Sequence, residues 1–263
     1  MPTVAGTNGD PIHYDVTGAG PNVFLGYPFT ASQGNADGLP VDLRAAVVQP
    51  LSQRFRVITA DYPRGIGETT PVRAHLLTID NVAREIELIA DAAGADSFAW
   101  WGYSWGALVG LYLACMTPRL TCLVTGGWPP LAPLFADMLD MCRGMEEELF
   151  QAEGVPSGVV ESVAGFRMFY EDLVRHDWGP QQISALSLPR LTYVGDKDVV
   201  SQGGIDLPVT NLWMAQRADL DRLGWRTHLV EGNFDHDGVI EAPDQVLPVV
   251  TTFLASALES TTA

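Results

Sequence analysis

The sequence predicts an α/β fold: a mostly parallel central sheet flanked by helices, with an inserted helical lid. Two observations carry the sheet. Short apolar runs of strand type alternate with helical stretches along most of the chain, the rhythm of parallel strands joined by crossovers on both faces. One of those runs, residues 98–103, pinches at two glycines and continues at once as an Ala/Leu-rich helix. A third observation carries the lid. From Leu131 to about Pro189 there is no strand-like run, and Met138, Met141, Met145, Phe166, Met168 and Phe169 stand at helical spacing among acidic residues. The expected organisation is a core of residues 1–128 and 190–263, with residues 129–189 as the lid. A chain of 263 residues is long enough for one large core without requiring two domains.

In chain order, residues 12–16 alternate in strand fashion and end in the turn cluster Thr17-Gly18-Ala19-Gly20-Pro21, before the apolar run Val23-Phe24-Leu25. Asn35 to Pro40 is polar and Gly-rich, residues 41–53 have helical periodicity, and residues 55–60 form a short strand. The turn from Asp61 to Gly67 reads as a tight loop pinned by ion pairing, with Asp61 and Arg64 bracing the turn. Its Gly-Ile-Gly lacks the third glycine and helix start of a dinucleotide site. Residues 78–93 open with Thr78 and place Ile79, Val82, Ile86 and Ile89 on one face, an amphipathic helix ended by Gly94. Strands follow at residues 98–103, 120–125, 190–194 and 226–230, with helices at 207–223 and 242–258, the last carrying Pro243 in its first turn.

The chemistry gathers at Gly102-Tyr103-Ser104-Trp105-Gly106. A strand that turns directly into a helix holds its middle residue in a strained backbone and leaves no room for side chains two positions away, which is what the two glycines supply. Ser104 Oγ then projects free of its own backbone, a candidate nucleophile at the carboxyl ends of the strands, where parallel sheets bind ligands. Beyond the strand at 190–194 lies Gly195-Asp196-Lys197-Asp198, where Asp198 is the candidate acid and Asp196 a cap or a partner of Lys197. Of the five histidines, only His236 combines a loop position, a strand just before it and the chain order Ser, Asp, His. In the loop after Val23-Phe24-Leu25, the backbone N–H of Tyr27 is a candidate oxyanion donor, whereas Pro28 has no N–H to give. Phe29, Trp128, Met138, Met141 and Phe169 are the candidate substrate contacts, since some bulky apolar residues must face any cavity under a lid.

Composition excludes several classes. With 15 Lys+Arg against 32 Asp+Glu, a formal charge of −17, the chain offers no basic stripe to nucleic acid or to an anionic membrane. No run of about 18 apolar residues and no signal-peptide pattern occurs, so a cytoplasmic protein is expected. Cys115, Cys122 and Cys142 show no ligand spacing and read as reduced packing residues. Asp235-His236-Asp237 has no second histidine near it in sequence, so no metal and no cofactor are expected.

Taken together, the loop at Gly26-Tyr27-Pro28, the turn from Asp61, the Gly102 to Gly106 elbow, the acid loop and the histidine loop resemble those of the α/β-hydrolase fold superfamily over nearly the whole chain. The resemblance implies a serine esterase or lipase-like enzyme with a lid, acting on the carbonyl of a small, largely apolar ester or lactone. It implies that His236 takes the Ser104 proton, that Asp198 orients the imidazole, and that the N–H groups of Trp105 and Tyr27 receive the oxyanion. The superfamily usually has a His-Gly dipeptide before the oxyanion loop. This chain has Leu25-Gly26, and so lacks the side chain that commonly braces that loop. The same scaffold also serves C–C bond hydrolysis, cofactor-free peroxidation and lyase or cyclase steps, and a ligand-binding protein without turnover is the alternative of another class. A haloalkane-type dehalogenase would need an aspartate at Ser104.

Overall fold

The computed structural model describes residues 1–32, 40–66 and 73–259. Most of the polar stretch from Asn35, and the end of the turn at Gly67, lie outside the described residues. Eight strands form the main sheet in the order β1 (Thr3–Ala5), β2 (Pro11–Thr17), β4 (Arg56–Ala60), β3 (Asn22–Leu25), β5 (Phe98–Tyr103), β6 (Leu120–Gly126), β7 (Arg190–Gly195) and β10 (Arg226–Val230). The β1–β2 and β2–β4 pairs are antiparallel and the others parallel. From β3 the chain steps outward to β4 and then returns past β3 to β5. The strand order therefore reverses between β3 and β5, the switch point at which such sheets open a crevice at their carboxyl ends.

Side-chain alternation along β5 divides the core in two. Phe98 and Trp100 point to the layer built by α2 (Ile79–Ala92) and α3 (Trp105–Met116), while Ala99, Trp101 and Tyr103 point to the layer of α9 (Pro243–Glu259) and the helical stretch from Arg44 through α1 (Gln49–Ser52). Helix α2 begins where the sequence places it. Thr78 Oγ1 accepts from Asn81 N at 3.4 Å, and Gly94, at φ 67°, ends the helix in the left-handed conformation that costs glycine nothing. Between β6 and β7 stand α4 (Phe135–Gln151), α5 (Ser157–Arg175) and α6 (Pro180–Ser184), with α4 and α5 packed along one another over the carboxyl end of the sheet.

One reading of the sequence needs correction. The helix expected from Leu207 begins at α7 (Val209–Arg222), and the residues before it form a hairpin of β8 (Val200–Gln202) and β9 (Ile205–Leu207). Its turn is Gly203-Gly204, at φ 55° and 74°, the positive values that a two-residue hairpin loop requires. Asp61 and Arg64 both brace the turn, each through partners outside it. Asp61 Oδ1 accepts from Ala31 N at 3.0 Å and Ser32 N at 2.9 Å, while the Arg64 guanidinium is bound by Glu85 of α2 and by Asp10. Each side chain thus ties its turn to a different neighbour.

Candidate active site

The elbow is built by steric exclusion. Ser104 stands at φ 52°, ψ −118°, and a Cβ on Gly102 would lie 2.3 Å from Gly106 O, while one on Gly106 would lie 2.4 Å from Tyr27 O. Only glycine fits either position. The strained backbone is held from both sides, because Tyr103 N donates to Tyr27 O at 2.9 Å and Ser104 N to Gly126 O at 2.8 Å. The elbow is therefore fixed by β3's loop and by β6.

His236 is the first residue of α8 (His236–Glu241), capped by Asp235, whose Oδ1 accepts from Gly238 N at 2.8 Å. Its Nε2 lies 2.9 Å from Ser104 Oγ, and its Nδ1 lies 2.7 Å from Asp198 Oδ1. A carboxylate can only accept, so Nδ1 carries the proton and Nε2 is left as the acceptor for the serine hydroxyl. Asp198 is fully buried, and Tyr103 Oη lies 3.2 Å from its Oδ2 and 2.9 Å from the His236 carbonyl. Burial first, and then the Asp198 charge, push the Tyr103 hydroxyl well above its ordinary pKa, so it stays a donor. The acid loop is pinned from α7, since Asp198 N donates to Thr210 Oγ1 at 2.8 Å and that hydroxyl donates to Gly195 O at 2.6 Å.

Asp196 neither caps nor pairs with Lys197. Its carboxylate accepts from Gly232 N, Asn233 N and Phe234 N at 3.2, 3.1 and 2.8 Å, so it holds the histidine loop against the acid loop. Partial desolvation pulls its pKa up, but the three N–H donors outweigh that and hold it below the usual carboxylate range. The loop after β3 is braced in a comparable way. Where a histidine is absent at Leu25, Asp61 at the end of β4 holds the backbone of Ala31 and Ser32, and Gly26 N donates to Trp101 O at 2.8 Å. Trp105, as the first residue of α3, has no carbonyl one turn back to take its N–H.

Tyr27, Ser104, Trp105 and His236 line a cavity of about 300 Å³. Met138, Met141, Cys142 and Met145 of α4 form one wall, Ser162, Val163, Phe166 and Tyr170 of α5 another, and Val200, Gln202, Asp237 and Ile240 the rest of the rim. Of the five expected substrate contacts, Met138 and Met141 line it and the others do not. Phe29 packs on Trp101 at 5.3 Å in the α9-side core, Phe169 is buried beneath Trp105 at 5.4 Å, and Trp128 is buried in the α3-side core. Met145 lies one turn on from Met141 and seven residues from Met138, a helical stripe visible in the sequence. Asp237 and Gln202 carried no such signal. A wider groove of about 780 Å³, bordered by Tyr112, Cys115, His176 and Trp178, holds none of the Ser104 site. Among the described residues no group of three or more His, Cys, Asp or Glu side chains gathers as a metal site.

A family model described as the alpha/beta hydrolase fold matches residues 33–141. A carboxylesterase structure from the thaumarchaeon Nitrososphaera gargenis superposes with a TM-score of 0.70 at 16% identity, over 98% of this chain and 100% of that one. The chain has the α/β-hydrolase fold. Other structures with this fold extend the likeness: an enol-lactonase from Burkholderia xenovorans (TM-score 0.64, 22% identity, 97% of this chain and 100% of that one) and an epoxide hydrolase mutant from Vigna radiata (0.71, 17%, 97% and 98%). No curated protein matches. The coverage brings α4 to α6 within the α/β-hydrolase likeness, together with the sheet and the elbow.

Proposed function

We propose that the protein is a serine hydrolase that cleaves an ester or lactone of a small, largely apolar molecule through an acyl-enzyme. The observation that carries the reading is the unbroken run from Ser104 Oγ to His236 at 2.9 Å and on to Asp198 at 2.7 Å, with Asp198 fully buried. In this reading Oγ attacks the carbonyl carbon while Nε2 takes its proton, and the oxygen that becomes negative is met by the N–H groups of Tyr27 and Trp105. The imidazolium gives that proton to the leaving oxygen as its bond to carbon breaks. Water then repeats the sequence on the acyl-enzyme, releasing the acid and restoring Ser104. Helices α4 and α5 serve as a cap whose thioethers receive the acyl group, room for roughly ten non-hydrogen atoms at the ~30 Å³ of a water-sized group.

The test is labelling with a fluorophosphonate followed by peptide mapping. Modification of Ser104 and its absence in Ser104→Ala, which retains its circular dichroism, are expected. Modification elsewhere removes the assignment, and full inertness points to ligand binding without turnover. Asp198→Asn leaves imidazole without its orienting charge and is expected to lower kcat by about four orders of magnitude. A panel of esters, lactones and diketones sorts ester cleavage from C–C bond hydrolysis.

A further inference from the structure

We infer that the part of the substrate held beneath α4 and α5 is uncharged, and that Asp237 at the rim turns away substrates that carry a carboxylate there. The inference rests on the proposed Ser104 chemistry and narrows it. Among the described residues the walls are mostly thioethers and rings, with the uncharged polar groups of Ser162 and Gln202 between them, and no lysine or arginine lines the cavity. The cations closest in sequence to the lining are already engaged. Arg167, next to Phe166, is paired with Glu146 at 2.8 Å and Glu171 at 3.0 Å, and Arg143, next to Cys142, is paired with Asp140 at 3.0 Å.

Arg64 and Arg73, which border the adjoining space behind Ser162 and Phe166, are paired with Glu85 and Asp10, and the remaining ionisable groups of the lining add no fixed positive charge. Burial pushes the Cys142 thiol up to about 12 and raises the Tyr170 hydroxyl, so both stay neutral at ordinary pH. Among the described lining residues His236 is the one able to become cationic, and it must be neutral to take the serine proton. Among the described lining residues Asp237 is left as the one fixed charge, and its field reaches the site: burial first and then Asp237 raise Tyr27, and Asp237 is the least of the causes, led by burial, that raise Tyr103. A carboxylate entering this space would lose its water without finding a counter-ion, and would meet a like charge at the rim. A neutral chain of the same shape suffers neither loss.

The test uses an isosteric pair, 4-nitrophenyl levulinate (neutral) and 4-nitrophenyl hydrogen succinate (anionic). The expected kcat/KM ratio in favour of levulinate is about a hundredfold or more, the scale set by burying an unpaired charge. Asp237→Asn should shrink that ratio roughly three- to tenfold, as suits a rim charge exposed to water, while Glu153→Gln, which removes an exposed charge outside the cavity, should leave it unchanged. A second arm measures binding of the matched anilides, N-phenyl-4-oxopentanamide and N-phenylsuccinamate, by tryptophan fluorescence, and so reads charge preference without turnover. A ratio below about tenfold, or one that Asp237→Asn does not move, overturns the inference. Equal turnover of both esters keeps hydrolysis and removes the charge filter. Silence of both esters with the anilide preference intact removes hydrolysis and keeps the filter.

Discussion

Tyr103 sits between Gly102 and Ser104, and its hydroxyl passes beneath the elbow to within 3.2 Å of Asp198 Oδ2 and 2.9 Å of the His236 carbonyl. One side chain thus ties the residue before the nucleophile to both partners of the nucleophile. The hydroxyl has one proton to share between these two acceptors, so removing it deprives the buried Asp198 Oδ2 of a shared donor, and a bond to a charged acceptor is worth at most about 1.5–3 kcal/mol. Tyr103→Phe is therefore expected to lower kcat about ten- to hundredfold with KM nearly unchanged, because the loss falls on orientation of the base rather than on the cavity walls. An effect on KM alone would assign Tyr103 to packing. Neither this contact nor the partners of the Asp61 brace, Ala31 and Ser32, were legible in the sequence. Gly-x-Ser-x-Gly announces a strained turn through its own residue types, whereas a tyrosine that reaches a carboxylate 95 positions away leaves no local trace.

At the scale of elements, the hairpin β8–β9 sets one side of the cavity by backbone contact with α4. A Cβ on Gly144 would lie 2.1 Å from Gly203 O, and one on Gly203 would lie 2.2 Å from Met141 O, so helix and hairpin meet with no side chain between them. Val200 and Gln202 reach the cavity from this hairpin. Gly144→Ala must push the two apart. The expected result is a chain-length optimum for 4-nitrophenyl esters that moves to longer acyl groups, with fluorophosphonate labelling of Ser104 retained. An unchanged profile would show that the hairpin does not limit the cavity. The parallel strands, α2 and the elbow follow from periodicity and caps, which are local properties. The hairpin was missed because its strands are three residues each and do not alternate far enough to outweigh the helix that follows, although Gly203-Gly204 carried the turn signal.

Across the whole molecule, stability against pH is set by two sets of buried groups with opposite signs. Glu85 is fully buried and pairs with Arg64, itself 3% exposed in its side chain, and also accepts from Thr7 N at 3.0 Å. Burial pulls the Glu85 pKa up, but the bonds from Arg64 and Thr7 outweigh it and leave it below the ordinary value. A lowered pKa contributes stability above the unfolded value of about 4.3 and loses it as pH falls through the folded one. Tyr62, Tyr103 and Tyr170 are raised well above their ordinary value, chiefly by burial, so their contribution holds below about pH 10 and is lost as pH rises further. The expected Tm profile is a plateau from about pH 5 to about pH 8.5, where the unfolded thiols begin to ionise while burial holds Cys122 and Cys142 up to about 12, and it falls at both ends. The formal charge of −17 adds self-repulsion on the plateau, so Tm at pH 7 should rise with moderate salt. Glu85→Gln separates these causes. It leaves Arg64 buried with less counter-charge and should cost about 3–5 kcal/mol at pH 7, with a shallower acid limb and an unaltered alkaline one. Thermal unfolding followed by circular dichroism from pH 3 to pH 11, for both proteins, reads all three. An acid limb of unchanged depth in the variant would move the acid sensitivity away from Glu85 to the surface carboxylates, whose shared repulsion would then have to be the larger force.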